Sequence, residues 1–178
     1  RISLLVSLVA IIISSAVGIT VGAAAGYFGG RVDNIITRIL DVLMSIPSLL
    51  MAIAVSSALG SGPMKTALAI AIAGIPYSAR VMRSTVLTIK ENEYIEAAQA
   101  TGSTNARIIF RHVLPNTIAP LIVSATLDIG GNIMAISGLS FVGLGVQAPT
   151  PEWGSILSAG REFLRDFPPI VIFPALFI

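Results

Sequence analysis

Residues 3–30 read SLLVSLVAIIISSAVGITVGAAAGYFGG. No charge interrupts this stretch, and its only polar side chains are Ser, Thr and Tyr. A bilayer hydrocarbon core needs about 20 helical residues, so the run is long enough to cross one. Its length, its glycines and the lack of a basic leading segment make a cleavable signal peptide a poor reading. Gly18, Gly22, Gly26 and Gly30 fall every four residues, forming one small-residue strip along a helix. Such a strip lets another helix backbone come close, and packing inside a bundle is the simpler reading of it than lining a pathway.

The rest of the chain extends this pattern. Hydrophobic residues make up 54% of the 178 positions and charged residues 11%, against roughly 25% charged in an ordinary soluble domain. A soluble domain of this size has too little interior to hide so much apolar surface. One His and no Cys exclude a disulfide scaffold and a Cys-rich zinc or iron–sulfur site. A scattered net charge of +2 excludes a nucleic-acid binder.

Further apolar stretches cover residues 36–59, with Asp41 near the start and Pro47 inside, residues 64–82, with Pro76, and residues 113–146, which hold Pro120 and Asp128. Backbone groups in lipid must be satisfied internally, so helices are expected, and the alternating pattern of a barrel is absent. The three prolines are expected to kink their helices. A final apolar run, 169–178, is too short to span. The fold class expected is therefore all-α: a polytopic membrane bundle over residues 1–178, a fragment with about five transmembrane segments, the last truncated.

Basic residues set the orientation. Arg31, Arg38, Arg80, Arg83, Lys90, Arg107 and Arg111 fall on one side, and Arg1, Lys65, Arg161 and Arg165 on the other. The first side is read as cytoplasmic, which puts residues 147–167 outside. There Trp153, Ile156, Leu157, Phe163 and Leu164 recur at helical spacing among Glu152, Arg161, Glu162, Arg165 and Asp166. This reads either as an amphipathic helix at the interface, anchored by Trp153, or as a cap on the outer mouth of a pathway.

Residues 91–115 carry the most information. Glu91 to Ala100 is a good helix former with acid in its first turn, and Gly102 is a natural C-cap. Ser103 or Thr104 can cap a second short helix, with Arg107 and Arg111 on one face and Ile108 and Ile109 on another. The projection is too hydrophilic for lipid. Its Tyr94, Ile95 and Ala98 need a surface, either the chain's own bundle or a separate protein.

Glu96-Ala97-Ala98, then Gly102, then Leu114-Pro115 resembles the EAA loop of ABC importer permeases. His112 stands where that pattern expects an apolar residue. Arg111-His112-Val113-Leu114-Pro115-Asn116 is instead similar to the variant in the dipeptide/oligopeptide/nickel subfamily. Arg31-Val32-Asp33, Asp41 with Ser45-Ile46-Pro47, the stretch from Gly138 to Gly145, and Pro151-Glu152-Trp153-Gly154 resemble the same subfamily. The resemblance implies a permease subunit of the prokaryotic inner membrane that passes di- or oligopeptides, or nickel. It implies a second homologous permease subunit, cytoplasmic ATP-binding subunits and an external substrate-binding protein as partners. Glu96, Ala97, Ala98, Gly102, Leu114 and Pro115 would then form the ATPase-coupling element.

No P-loop occurs, so the chain is read as no enzyme and as needing no cofactor, with no catalytic residue and no metal ligand. His112 lacks a nucleophile or metal partner and reads as an interface residue. An ion-coupled secondary transporter or channel is the rival reading, resting on Asp41 and Asp128. Asp41 lies close enough to Arg38 to pair with it. Asp128, beside Gly130 and Gly131, is the better pathway candidate.

Overall fold

The computed structural model describes residues 1–178 and is helical throughout, without a strand. Helix α1 covers Ile2–Phe28, α2 Gly30–Met44, α3 Ser48–Leu59 and α4 Pro63–Lys90. The short helices α5 (Glu93–Ala100) and α6 (Asn105–Ile108) follow, then a π-helical turn over Ile109–Val113 and the long α7 (Leu114–Phe141). Helix α8 (Trp153–Gly160), a 3-10 turn (Arg161–Phe163) and α9 (Pro169–Leu176) complete the chain.

Two stretches are apolar and long enough to cross a membrane: α1, and the run Asn105–Phe141. At 27 residues, α1 extends about 40 Å, beyond a hydrocarbon core of about 30 Å. The pair α2 and α3 passes the same test jointly, but the two axes differ by 83°. The cause is local. Pro47 takes φ −52° and ψ 132° as the residue that precedes α3, so the chain leaves the helical region there. The expected kink is a full break. By contrast α4 and α7 continue through Pro76 and Pro120. Helix α4 matches the others in length, at 28 residues, and carries Lys65, Arg80, Arg83 and Lys90.

The chain divides into two compact units, and α1, α4 and α7 each contribute to both. The first comprises Arg1–Ile13, Ile46–Gly74 and Leu127–Ile178. Its core is small and aliphatic, built on Ala10, Ala67, Ile70, Ala71, Ile136 and Leu139. Here Glu152, read from sequence as one of the polar residues of a surface helix, is 2% exposed. Its carboxylate precedes α8 and accepts from the Gly154 and Ser155 N–H groups at 2.7 and 3.2 Å. The Ser137 hydroxyl donates to it at 2.8 Å and the Ser3 hydroxyl at 3.4 Å. Trp153 stacks on Phe177, ring centroids 5.5 Å apart. The helical spacing read through Leu164 ends earlier, at Gly160.

The second unit comprises Ser14–Ser45 and Ile75–Thr126. Gly18, Gly22 and Gly26 press directly on α4. A Cβ at Gly18 would lie 2.6 Å from Ser78 Cβ, and one at Gly26 2.9 Å from the Arg83 carbonyl oxygen. The strip is therefore a packing seam. Gly30 lies outside it, at the start of α2, with open space around it.

Candidate functional site

The second unit holds the loop singled out by sequence. Asn92 turns the chain out of α4, and its side-chain amide donates to the Ile89 carbonyl at 2.9 Å, so it closes α4 while leading into α5. Glu93 and Glu96 lie in the first turn of α5, where negative charge suits the helix dipole. The helix ends in a paired turn: the Gly102 N–H donates to the Gln99 carbonyl at 2.9 Å and the Ser103 N–H to the Ala98 carbonyl at 3.1 Å. This is the Schellman arrangement, and Gly102 takes the φ of 78° that it requires. Thr104 then starts α6, its hydroxyl accepting from the Arg107 N–H at 3.4 Å.

Helix α6 does not stop before the span. It runs without interruption through the π turn into α7. Pro115 explains the change of register, since it has no N–H to offer the Arg111 carbonyl and its ring crowds that carbonyl. The turn before it widens, and the Leu114 N–H reaches back five residues to Ile109. The two-helix projection expected from sequence is thus one free helix, α5, and one helix rigidly continuous with a span.

The loop has two faces. Ile95, Ile108 and Val113 are fully buried against Ala23, Tyr27, Met82 and Val86, with Ala98, Ile109 and Leu114 at the margin. Each buried isoleucine contributes roughly 1.5–3 kcal/mol to holding the loop down. The opposite face is bare: Glu93, Glu96, Ala97, Ala100 and Gly102 are exposed. A Cβ at Gly102 would meet nothing within 4 Å. The structure therefore resolves the alternative left open by sequence. Ile95 and Ala98 rest on the chain's own bundle, Tyr94 is 43% exposed with its ring 6.5 Å from that of His112, and the Glu96–Ala97 side is left free. Leu114 is half-buried at the root of the loop and Pro115 is exposed.

Three side chains that sequence reading passed over tie this unit together. The Tyr27 hydroxyl donates to Asn105 Oδ1 at 2.9 Å, and the Lys90 ammonium donates to the Tyr27 carbonyl at 2.7 Å. Two ion pairs join α2 to α4. Arg83 grips Asp33 with two bonds, at 2.5 and 2.6 Å, and Arg80 reaches Asp41 at 2.5 Å. Asp41 is thus paired with Arg80 and not with Arg38, because α4 brings its guanidinium alongside. Asp128 belongs to the first unit, half-buried on α7. Cβ atoms at its neighbours Gly130 and Gly131 would meet nothing within 4 Å.

A helical bundle with membrane-length apolar helices, carrying a short helix with one bare face on a buried base, defines a polytopic helical membrane protein. The sequence matches place it more closely. Residues 18–178 match the family described as binding-protein-dependent transport system inner membrane component, and the chain belongs to that family. It is 45% identical over all 178 residues to the dipeptide transport system permease protein DppC of Alkalihalophilus pseudofirmus. It is 41% identical to the glutathione transport system permease protein GsiD of Pectobacterium atrosepticum and 40% to the di/tripeptide transport system permease protein DppC of Pseudomonas aeruginosa. The chain spans 59% of the length of each of these relatives. Its fold is similar to that of a chain of the MetNI methionine ABC transporter, solved in inward-facing conformations. There the TM-score is 0.79 over 99% of this chain and 84% of that one, at 17% identity.

Proposed function

We propose that this chain belongs to a permease subunit that passes di- or oligopeptides across a prokaryotic inner membrane, driven by ATP hydrolysed in separate cytoplasmic subunits. An external binding protein delivers the peptide, and a second homologous permease completes the path. The observation that carries this reading is the bare face of α5 on its buried base. Glu96, Ala97 and Gly102 form a small, uncluttered surface that a separate protein can approach, and Ile95 and Ile108 fix it to the bundle. The names of the relatives support peptides as cargo. The excess of basic residues supports a cytoplasmic position for the loop and an external one for residues 147–167.

The chemistry suits transmission. Residues 91–115 form the coupling element, in which α5 receives the ATPase and the unbroken helix from Asn105 to Phe141 carries its displacement into the membrane. Glu96 offers an unpaired carboxylate to a basic partner, and Leu114 and Pro115 form the root on which the loop turns. Asp128 faces the pathway, since an unpaired carboxylate on a lipid-facing surface is costly.

The test uses the full-length subunit in liposomes with its partner permease and ATPases. Receptor-dependent ATP hydrolysis and peptide uptake are followed together, for the native chain and for Gly102→Asp. The expected result is ATP-dependent uptake that Gly102→Asp abolishes, with assembly and hydrolysis retained. Normal uptake by that variant overturns the coupling assignment, and uptake that follows a proton gradient without ATP overturns the importer reading.

A further inference from the structure

The loop is covalently joined to α4 through residues 91–92 and to α7 through the π turn, so motion of α5 reaches those helices through backbone. Helix α1 has no such connection. It meets the loop at its C-terminal turn, where Tyr27 is 5% exposed and packs in the same cluster as Ile95 and Ile108. There the phenol hydroxyl donates to Asn105 at the first residue of α6, and the Gln99 side chain of α5 is its second polar neighbour. The hydroxyl is thus bonded to α6 and lies beside α5, on either side of the Gly102 turn. From the other direction, the Lys90 ammonium holds the Tyr27 carbonyl at 2.7 Å and stands 5.8 Å from the Tyr27 ring centroid. That arrangement caps the last turn of α1 with a cation and fixes the ring that carries the hydroxyl.

We propose that Tyr27, held by Lys90 and bonded to Asn105, latches the coupling loop to α1, so that displacement of the loop moves α1 together with α4 and α7. Tyr27 and Asn105 are positioning residues, acting through the loop. The inference deepens the importer reading above and rests on it. The hydroxyl in this place does more than pack. A Phe would fill the same volume, yet the bond is what distinguishes a loop that shifts α1 from one that slides past it.

The test is a double-mutant cycle in the reconstituted full-length transporter. Tyr27→Phe and Asn105→Leu each remove one partner, and Asn105→Asp keeps the acceptor oxygen. The readout is ATP hydrolysed per peptide taken up. Each of the first two variants is expected to raise it about fivefold, the factor by which one lost neutral hydrogen bond shifts an equilibrium. The double variant is expected to be no worse than either, and Asn105→Asp to stay near native. A second readout stands apart from activity. The present stretch has no cysteine, so spin labels at Phe28 and Ala100, both exposed, report the distance between α1 and the loop. That distance is expected to stay fixed between nucleotide-free and ATP-trapped states in the native protein and to spread in Tyr27→Phe. Proportional loss of uptake and hydrolysis with an unchanged ratio, additive effects in the double variant, or an unchanged distance distribution in Tyr27→Phe would each overturn the latch. Uptake by the native protein that ignores ATP overturns the importer reading instead, and that control separates the two failures.

Discussion

Gly154 and Gly102 sit beside short helices in different units, and they are glycine for opposite reasons. Gly154 lies in the first turn of α8, pressed on the backbone of Ser137, whose carbonyl carbon and Cα would lie 2.7 Å from an added Cβ. Gly102 closes α5 with φ at 78° and has open space where a Cβ would go. One glycine is demanded by a neighbour and the other by its own backbone. The helix caps divide the same way. Glu152, buried, satisfies two N–H groups of α8 and two serine hydroxyls, while Thr104, exposed, gives α6 one long bond. The region of residues 137–160 is thus built as an internal joint, and the outer face of α5 with its Gly102 turn as a surface left open above a buried base.

The largest effect is expected where backbone meets backbone. Gly154→Ala sets a methyl group against the Ser137 carbonyl, which cannot swing aside as a side chain would. Overpacking of this kind costs about 3 kcal/mol or more at a rigid site. The full-length protein purified in detergent should show a lower melting temperature and a smaller monodisperse yield. A variant that melts with the native protein would mean that α8 is free to lift off α7.

Glu152→Ala comes next. It leaves the Gly154 and Ser155 N–H groups and the Ser137 hydroxyl without their acceptor, at a largely buried place. Loss of an N-cap together with buried donors left unmet amounts to roughly 2–3 kcal/mol. Glu152→Gln keeps one acceptor oxygen and should recover about half of the lost melting temperature. If Gln behaves as badly as Ala, the charge itself and not the count of acceptors holds the joint.

The sequence carried the apolar runs, the glycine seam and the ends of α5 plainly, because each depends on residues within a few turns of one another. Pairings across the bundle were not legible. Tyr27 and Asn105 are 78 positions apart, and Tyr27 and Lys90 are 63 apart. Their meeting depends on how far each long helix runs past the other, which periodicity does not record. Asp41 illustrates the same limit, since Arg38 is near in sequence and Arg80 is near in space. Glu152 reads as a surface charge until the fold supplies four donors around it. The π turn was hidden for another reason. Pro115 signals a disturbed helix, but whether the chain breaks there, as at Pro47, or widens and continues depends on the packing of Ile108 and Val113.

Gly102→Ala separates the two kinds of glycine within one substitution type. The methyl group meets no neighbour, so the only penalty is that of a left-handed backbone at a non-glycine residue, about 1 kcal/mol. The melting temperature should fall by far less than in Gly154→Ala. Equal losses would mean that Gly102 is crowded in the assembled protein, as a docked partner would make it. Repeating the measurement with and without the proposed ATPase subunits distinguishes that case.

Thr104→Ala is expected to have the smallest effect. Its bond to the Arg107 N–H is 3.4 Å long and exposed to water, which can replace the lost acceptor. An exposed cap of this geometry is worth about 0.5 kcal/mol, the low end for such residues. Helix α6 also needs its cap less than α8 does. It is an extension of α7 through the π turn, and buried Ile108 pins it from below. The shift in melting temperature should therefore fall near the limit of measurement, several times smaller than that of Glu152→Ala. A loss as large as that of Glu152→Ala would show that the α6 start is itself a joint. The distinction between a buried cap and an open one would then fail as the reason the two regions differ.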